Sequence, residues 1–183
     1  MKLCVVTSNP HKAEEIRSYF QDLVDVEHIL IECPEYRHED VGEIAKNKAS
    51  YAFSQVKQPL IVDDTAFYIH ALAGFPGPYA AYVFQKLGNK GILKLMEDEK
   101  DRNAYFETAI AYADVSGIRV FRGTMHGTIV APRGRDGFGY DPVFEYQGKT
   151  LAEIPLIEKS RISHRARALA NLREWLTSDR PGT

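Results

Sequence analysis

An α/β fold with an antiparallel portion of sheet is predicted by three features of the chain. Leu3 to Val6 is an apolar run followed at once by a polar turn and then by a helical period, the strand, turn, helix order of α/β proteins. Leu60 to Val62 is a second short apolar run, and it stops at two carboxylates, Asp63 and Asp64, which places paired acids at a sheet edge where ligands of open α/β sheets collect. Ala104 to Ala113, Ile118 to Arg122 and Gly127 to Val130 alternate in polarity and are rich in β-branched and aromatic residues, with Ser116-Gly117 as a hairpin turn.

The whole chain sets the bounds on these elements. Its 183 residues fit one domain, 1–183, with room for two lobes. A formal net charge of -2 with interleaved signs gives no polybasic tract, so neither nucleic acid nor an acidic membrane surface is expected as a partner. Cys4 and Cys33 are too few for a disulfide scaffold and wrongly spaced for a zinc cluster, which points to a reduced cytoplasm. No apolar run reaches the length of a signal-peptide core or a membrane span. Ser178 to Thr183 reads as a loose tail.

Taken in order, the first strand leads into Thr7-Ser8-Asn9-Pro10-His11-Lys12, where Asn9 suits a helix N-cap and Pro10 the first helical position. Ala13, Ile16, Phe20 and Leu23 then recur at helical spacing. Such a helix start offers free N–H groups, hydroxyls and the Lys12 ammonium to a phosphate, although capped helices after strands are also a common structural device. A strand is expected from Val26 to Ile31, an irregular segment at Cys33-Pro34-Glu35-Tyr36, and a helix from Gly42 to Val56 with Lys48 near its apolar edge. Glu35 could be a solvated loop acid or a metal ligand, and composition prefers the first. Gly74, Pro76, Gly77 and Pro78 make a stiff loop, and Tyr79 to Leu87 and Gly91 to Met96 read as helices broken at Gly88-Asn89. Arg133 to Phe144 concentrates glycines beside exposed-looking Phe138 and Tyr140, flat surfaces on which a base could stack; a hairpin corner that buries both rings is the alternative. The last helix should begin after Ser163 as N-cap. His164 and Arg165 in its first turn oppose the helix dipole, a local conflict that marks them as donors seeking an acceptor.

Six segments in this order resemble the inosine triphosphate pyrophosphatase family over almost the whole chain: Thr7 to Lys12, Pro34 to Tyr36, Asp63 to Thr65, Gly74 to Tyr79, Gly137 to Pro142 and Ser163 to Leu169. The resemblance implies a long mixed twisted sheet flanked by helices, two lobes with a cleft between them, and a homodimer. It also implies Mg²⁺-dependent hydrolysis of ITP, dITP and XTP to the monophosphate and pyrophosphate. By motif, Thr7, Ser8, Asn9 and Lys12 are similar to the family's triphosphate loop and Lys48 to its lysine in the second helix. Glu35 and Asp64 match its metal and water-activating acids. Phe138, Gly139, Tyr140, Asp141, Lys159, Ser163, His164 and Arg165 match its base pocket. Where many members have Asp-Asp-Ser-Gly-Leu, this chain has Asp63-Asp64-Thr65-Ala66-Phe67, and His70 stands where bacterial members often place an acid. His70 is therefore left outside the site.

The chemistry of the side chains agrees with those roles. A triphosphate repels any nucleophile, so Mg²⁺ with few protein carboxylates is expected. Strand residues alternate in direction, so Asp63 and Asp64 should not both enter a cleft, and Asp64 is assigned as the acid that activates water. Donors on His164 and Arg165 would fit a 6-oxo purine and leave groups unpaired against adenine. Two alternatives remain: a Maf-type hydrolase acting on modified pyrimidine or methylated nucleotides, and a nucleotide-binding protein without turnover.

Overall fold

The computed structural model describes residues 2–20 and 24–178. Strand β1 (Lys2–Val6) lies between two parallel neighbours, β2 (Asp25–Ile29) and β3 (Leu60–Ile69). The crossovers are helix α1 (Pro10–Phe20) and helix α2 (Val41–Val56). Beyond β3 the sheet turns antiparallel through β5 (Asn103–Asp114) and β6 (Gly117–Ile129), then ends in the short β7 (Phe144–Tyr146) and β8 (Lys149–Thr150). The two residues of β4 (Pro76–Gly77) pair with β3. The order is β2-β1-β3-β5-β6-β7-β8, a mixed sheet as expected.

Both faces of the parallel part are covered, which explains why β1 reads as a continuous apolar run. Cys4, Val6 and Val62 pack against the alanines Ala45, Ala49 and Ala52 of α2, while Leu3, Val5 and Ile61 pack against Ile16 and Phe20 of α1 and Leu169 and Leu172 of α5 (His164–Thr177). The long antiparallel strands then run past the end of β1 into a second core. There Phe67, Phe106, Met125 and Phe144 meet Ile92 and Met96 from α3 (Ala80–Leu95) and the residue after it. One set of strands thus serves two lobes.

β3 does not end at Asp63 but continues to Ile69, because β5 supplies backbone partners along its whole length, from Leu60 opposite Ala113 to Ile69 opposite Ala104. The apolar run stops at Val62 for another reason: Val62 faces the last residue of β1, Val6. Gly117–Ile129 is one strand rather than two, and Gly123 within it is required by close packing, since a Cβ there would lie 2.1 Å from the His164 carbonyl oxygen of α5. Helix α4 (Leu156–Ile162) was not anticipated. The predicted break in α3 is present at Gly88 (φ 58°, ψ -170°), and Ser163 caps α5 by accepting a hydrogen bond from the Ala166 N–H at 3.1 Å. Leu23 and residues 179–183 of the predicted tail fall outside the described residues.

Candidate active site

β1 ends opposite Val62, and β4 joins β3 only at Phe67, so the β3 edge from Asp63 to Ala66 has no strand on that side. A cleft of about 1390 Å³ opens at this gap. Thr7, Ser8 and Asn9 reach it from the turn after β1, Lys12 from the first turn of α1, Cys33 and Glu35 from the irregular segment, and Lys48 from α2. Phe138, Gly139, Tyr140 and Asp141 line it from the loop before β7, with Lys159 of α4 and His164 and Arg165 of α5. Ser163 is not among the lining residues, since its hydroxyl is the cap of α5. His70 also lies elsewhere, 4.0 Å from Asp101.

The paired aspartates point to opposite faces of β3, as alternation requires, yet both line the cleft, because it wraps around the unpaired edge. Toward α2, Asp64 Oδ2 accepts from Lys48 Nζ at 2.7 Å and Oδ1 from the Thr65 N–H at 2.9 Å. Toward α1 and α5, Asp63 Oδ2 lies 3.2 Å from Lys12 Nζ and accepts from Arg165 Nε at 3.0 Å, while its Oδ1 is buried without a hydrogen-bond partner. Burial would raise the Asp63 pKa, but Lys12 and Arg165 hold it below the usual carboxylate value. Burial would likewise lower that of Lys48, but Asp64, with Glu35 and Asp63 behind it, holds it above. Glu35 is exposed.

The turn after β1 is braced from within. Asn9 Oδ1 accepts from the His11 N–H at 3.0 Å, the predicted cap, and Thr7 Oγ1 accepts from the Asn9 N–H at 3.1 Å. His28 of β2 donates through Nε2 to the Thr7 carbonyl at 2.8 Å, since a carbonyl can only accept.

Beneath the turn lies a buried ionic cluster that the sequence did not reveal. Its centre is Glu15, only 2% exposed, which pairs with Arg165 of α5 and, at 2.6 Å, with Lys159 of α4. Lys159 also donates to Asp141 Oδ2 at 2.7 Å, and the same oxygen accepts from the Phe138 N–H at 2.8 Å. Burial opposes ionisation of Glu15, yet Arg165 and Lys159 hold its pKa below the ordinary value. For Asp141 burial outweighs Lys159 and the pKa is raised. Arg165, expected to seek an outside acceptor, already has three within the protein: Glu15, Asp63 and Thr65 Oγ1, the last at 3.2 Å. Burial opposes its charge, and Glu15 and Asp63 more than restore it.

From Thr65 the hydrogen bonds continue. Thr65 Oγ1 lies 2.8 Å from Thr108 Oγ1, which lies 2.6 Å from His164 Nδ1. Arg165 can only donate, so every proton in the chain finds an acceptor when Thr65 donates to Thr108 and Thr108 donates to Nδ1. That order leaves the His164 proton on Nε2. Burial and the nearby cations Arg165, Lys159, Lys12 and Arg167 push the His164 pKa well below 6.5, so the ring is neutral. It stacks on Phe106 with centroids 4.8 Å apart.

Of the two aromatics in the glycine-rich loop, Tyr140 belongs to the core and not to an exposed platform. It is 4% exposed, packs against Phe67 and Phe84, and donates its hydroxyl to the Ala80 carbonyl at 2.7 Å. Phe138 is the accessible one. Its loop turns at Gly137 (φ 79°), where a Cβ would meet Asp141 Oδ2 at 2.3 Å.

This arrangement can be set against known proteins. A model of the Ham1 family matches residues 3–175. The chain belongs to the Ham1 family. It is 44% identical over 180 residues to the dITP/XTP pyrophosphatase of Thermococcus kodakarensis, covering 96% of this chain and 97% of that one. It is 38% identical to the inosine triphosphate pyrophosphatase of Emericella nidulans over 176 residues, 95% and 96% of the two chains. Among solved Ham1 structures, the protein from Coxiella burnetii superposes with a TM-score of 0.85 at 29% identity, covering 98% of this chain and 100% of that chain. The mixed sheet described above is thus the Ham1 fold.

Proposed function

We propose that this chain hydrolyses the non-standard purine nucleoside triphosphates ITP, dITP and XTP to the monophosphate and pyrophosphate. One observation carries the reading: Lys12, Lys48 and Asp64 line the same cleft as Phe138 and His164, so charges suited to a triphosphate and surfaces suited to a base share one groove. The names of the Thermococcus and Emericella relatives support it.

In this reading the purine stacks on Phe138, a contact worth ~1–3 kcal/mol. The His164 Nε2–H is the donor offered to a 6-oxo group, which adenine lacks. Thr7, Ser8 and Asn9 receive the phosphates. Among the described residues, no group of three or more His, Cys, Asp or Glu side chains is placed to hold a metal by itself. Glu35 and Asp64 are nevertheless hard oxygen donors lining the same cleft, and Mg²⁺ commonly takes one or two carboxylates and completes its shell with phosphate oxygens and water. These two residues would hold it, and when bound it would offset the charge of the triphosphate.

Asp64, oriented by Lys48 and the Thr65 N–H, accepts the proton of a water molecule whose oxygen bonds to the α-phosphorus. The bond from the α-phosphorus to the bridging oxygen breaks and pyrophosphate leaves, with Lys12 and Lys48 stabilising its charge. We propose that the working form is a homodimer in the cytoplasm; light scattering after gel filtration tests the dimer. The activity itself is tested by pyrophosphate release with Mg²⁺ from a panel of triphosphates. ITP, dITP and XTP should lead ATP by at least tenfold, and equal rates with ATP or a preference for pyrimidine triphosphates would overturn the assignment.

A further inference from the structure

The ring of Phe138 is already stacked. His11, two residues after the Asn9 cap, lies over it with ring centroids 4.9 Å apart and planes 12° from parallel. At that spacing the rings are in contact and no third ring fits between them. His11 and Phe138 also stand in the walls of two spaces, the main cleft and a side chamber of about 460 Å³ floored by Glu15 and Lys159. The stacked pair is thus a partition between them, and it joins the first turn of α1 to the loop before β7.

A second group lies over Phe138, the Lys159 ammonium, 4.6 Å from the ring centroid. The two neighbours differ in freedom. Lys159 is 2% exposed and pinned by Glu15 and Asp141 at 2.6 and 2.7 Å. His11 is exposed, and its imidazole makes no hydrogen bond among the described residues, so only the stack holds it. A flat ligand arriving at Phe138 can displace His11 but not Lys159.

We propose that His11 is a built-in competitor for the purine: its imidazole covers the stacking face of Phe138 in the free protein and swings away when a base takes its place, so that a base is admitted only if it stacks better than imidazole. The inference rests on the reading of Phe138 as the base platform. A stacked aromatic pair corresponds to about two- to tenfold in a binding constant. Removing it in His11→Ala should therefore lower the KM for ITP by about that factor, with kcat unchanged.

The test compares His11→Ala and Phe138→Leu in pyrophosphate release, with the His11 ring-proton shifts followed by NMR as IMP is added. The upfield shift that Phe138 imposes on His11 should vanish on saturation with IMP and be absent in Phe138→Leu. A raised KM in His11→Ala would mean that His11 stacks on the base itself, and an unchanged KM would mean that the base uses another surface of Phe138; either overturns the proposal. If Phe138→Leu leaves the KM for ITP unchanged, the platform reading fails instead.

Discussion

Two clusters of charge meet at β3, and they behave differently. The Asp63 side is closed: Glu15, Arg165, Lys159 and Asp141 are each less than 5% exposed and bind one another from three helices and a loop. The Asp64 side is open: one ion pair to Lys48, 9% exposure, and Glu35 in solvent nearby. Adjacent residues of one strand therefore do unlike work. A carboxylate tied to the buried Arg165 fixes the shape of the site, and a carboxylate with one ion pair at a cleft wall can exchange it for a substrate group. Burial, more than residue type, separates the two roles.

Breaking the closed side should cost the most. Arg165→Ala leaves Glu15 buried without its main counter-charge and Asp63 with Lys12 alone, and a loss of about 3–5 kcal/mol is expected. Thermal and urea unfolding should show it, and Glu15→Ala should behave alike; a stable Arg165→Ala protein would mean that the cluster does not hold the lobes. Breaking the open side should spare the fold. Asp64→Asn should unfold within about 1 kcal/mol of the parent, as substitutions outside a buried network do. Its turnover should fall by about 10²–10⁴-fold, the usual worth of a positioned base, while nucleotide binding, followed by calorimetry, persists.

Acid separates the regions further. His164 stays neutral in the folded protein while an unfolded histidine takes up a proton near 6.5. The stability it contributes is present above that value and is lost as pH falls below it, by up to about 1.4 kcal/mol per pH unit. His164→Gln should remove that slope. Asp63 and Glu15, both held below their ordinary values, contribute stability that is present above the unfolded carboxylate pKa and lost only as pH falls further, through their folded values. A denaturation series from pH 8 to 3 should therefore show two successive losses. The mildest effect on catalysis should come from Thr108→Val, which deprives His164 Nδ1 of its donor. It should cost about 1–3 kcal/mol, and the ITP to ATP preference should narrow.

Much of the site was legible in the sequence because its cues are local. A cap at Asn9, a helix start after Ser163 and a break at Gly88 depend on neighbours within a turn or two of chain, and each is found where the spacing puts it. Glu15 was not legible: an acid two residues after Ala13 on an amphipathic helix reads as solvated, and only Lys159 and Arg165, over 140 residues away, make its burial tolerable. Tyr140 was misread for the same reason, since a tyrosine beside glycines looks exposed until Ala80 and Phe84 enclose it.

The sequence by itself determined that strand, phosphate-type turn and helix open the chain, that two carboxylates follow the third strand's apolar run, and that the segments of one nucleotide-hydrolysing family recur in order. Only the tertiary structure decided which of those carboxylates is tied to the buried Arg165 and which to Lys48 at the cleft wall, where the cleft lies, and that His11 already sits on Phe138. The reason is physical. Helix caps and strand periods are set by contacts a few residues apart, whereas ionisation and access depend on partners that folding alone brings together.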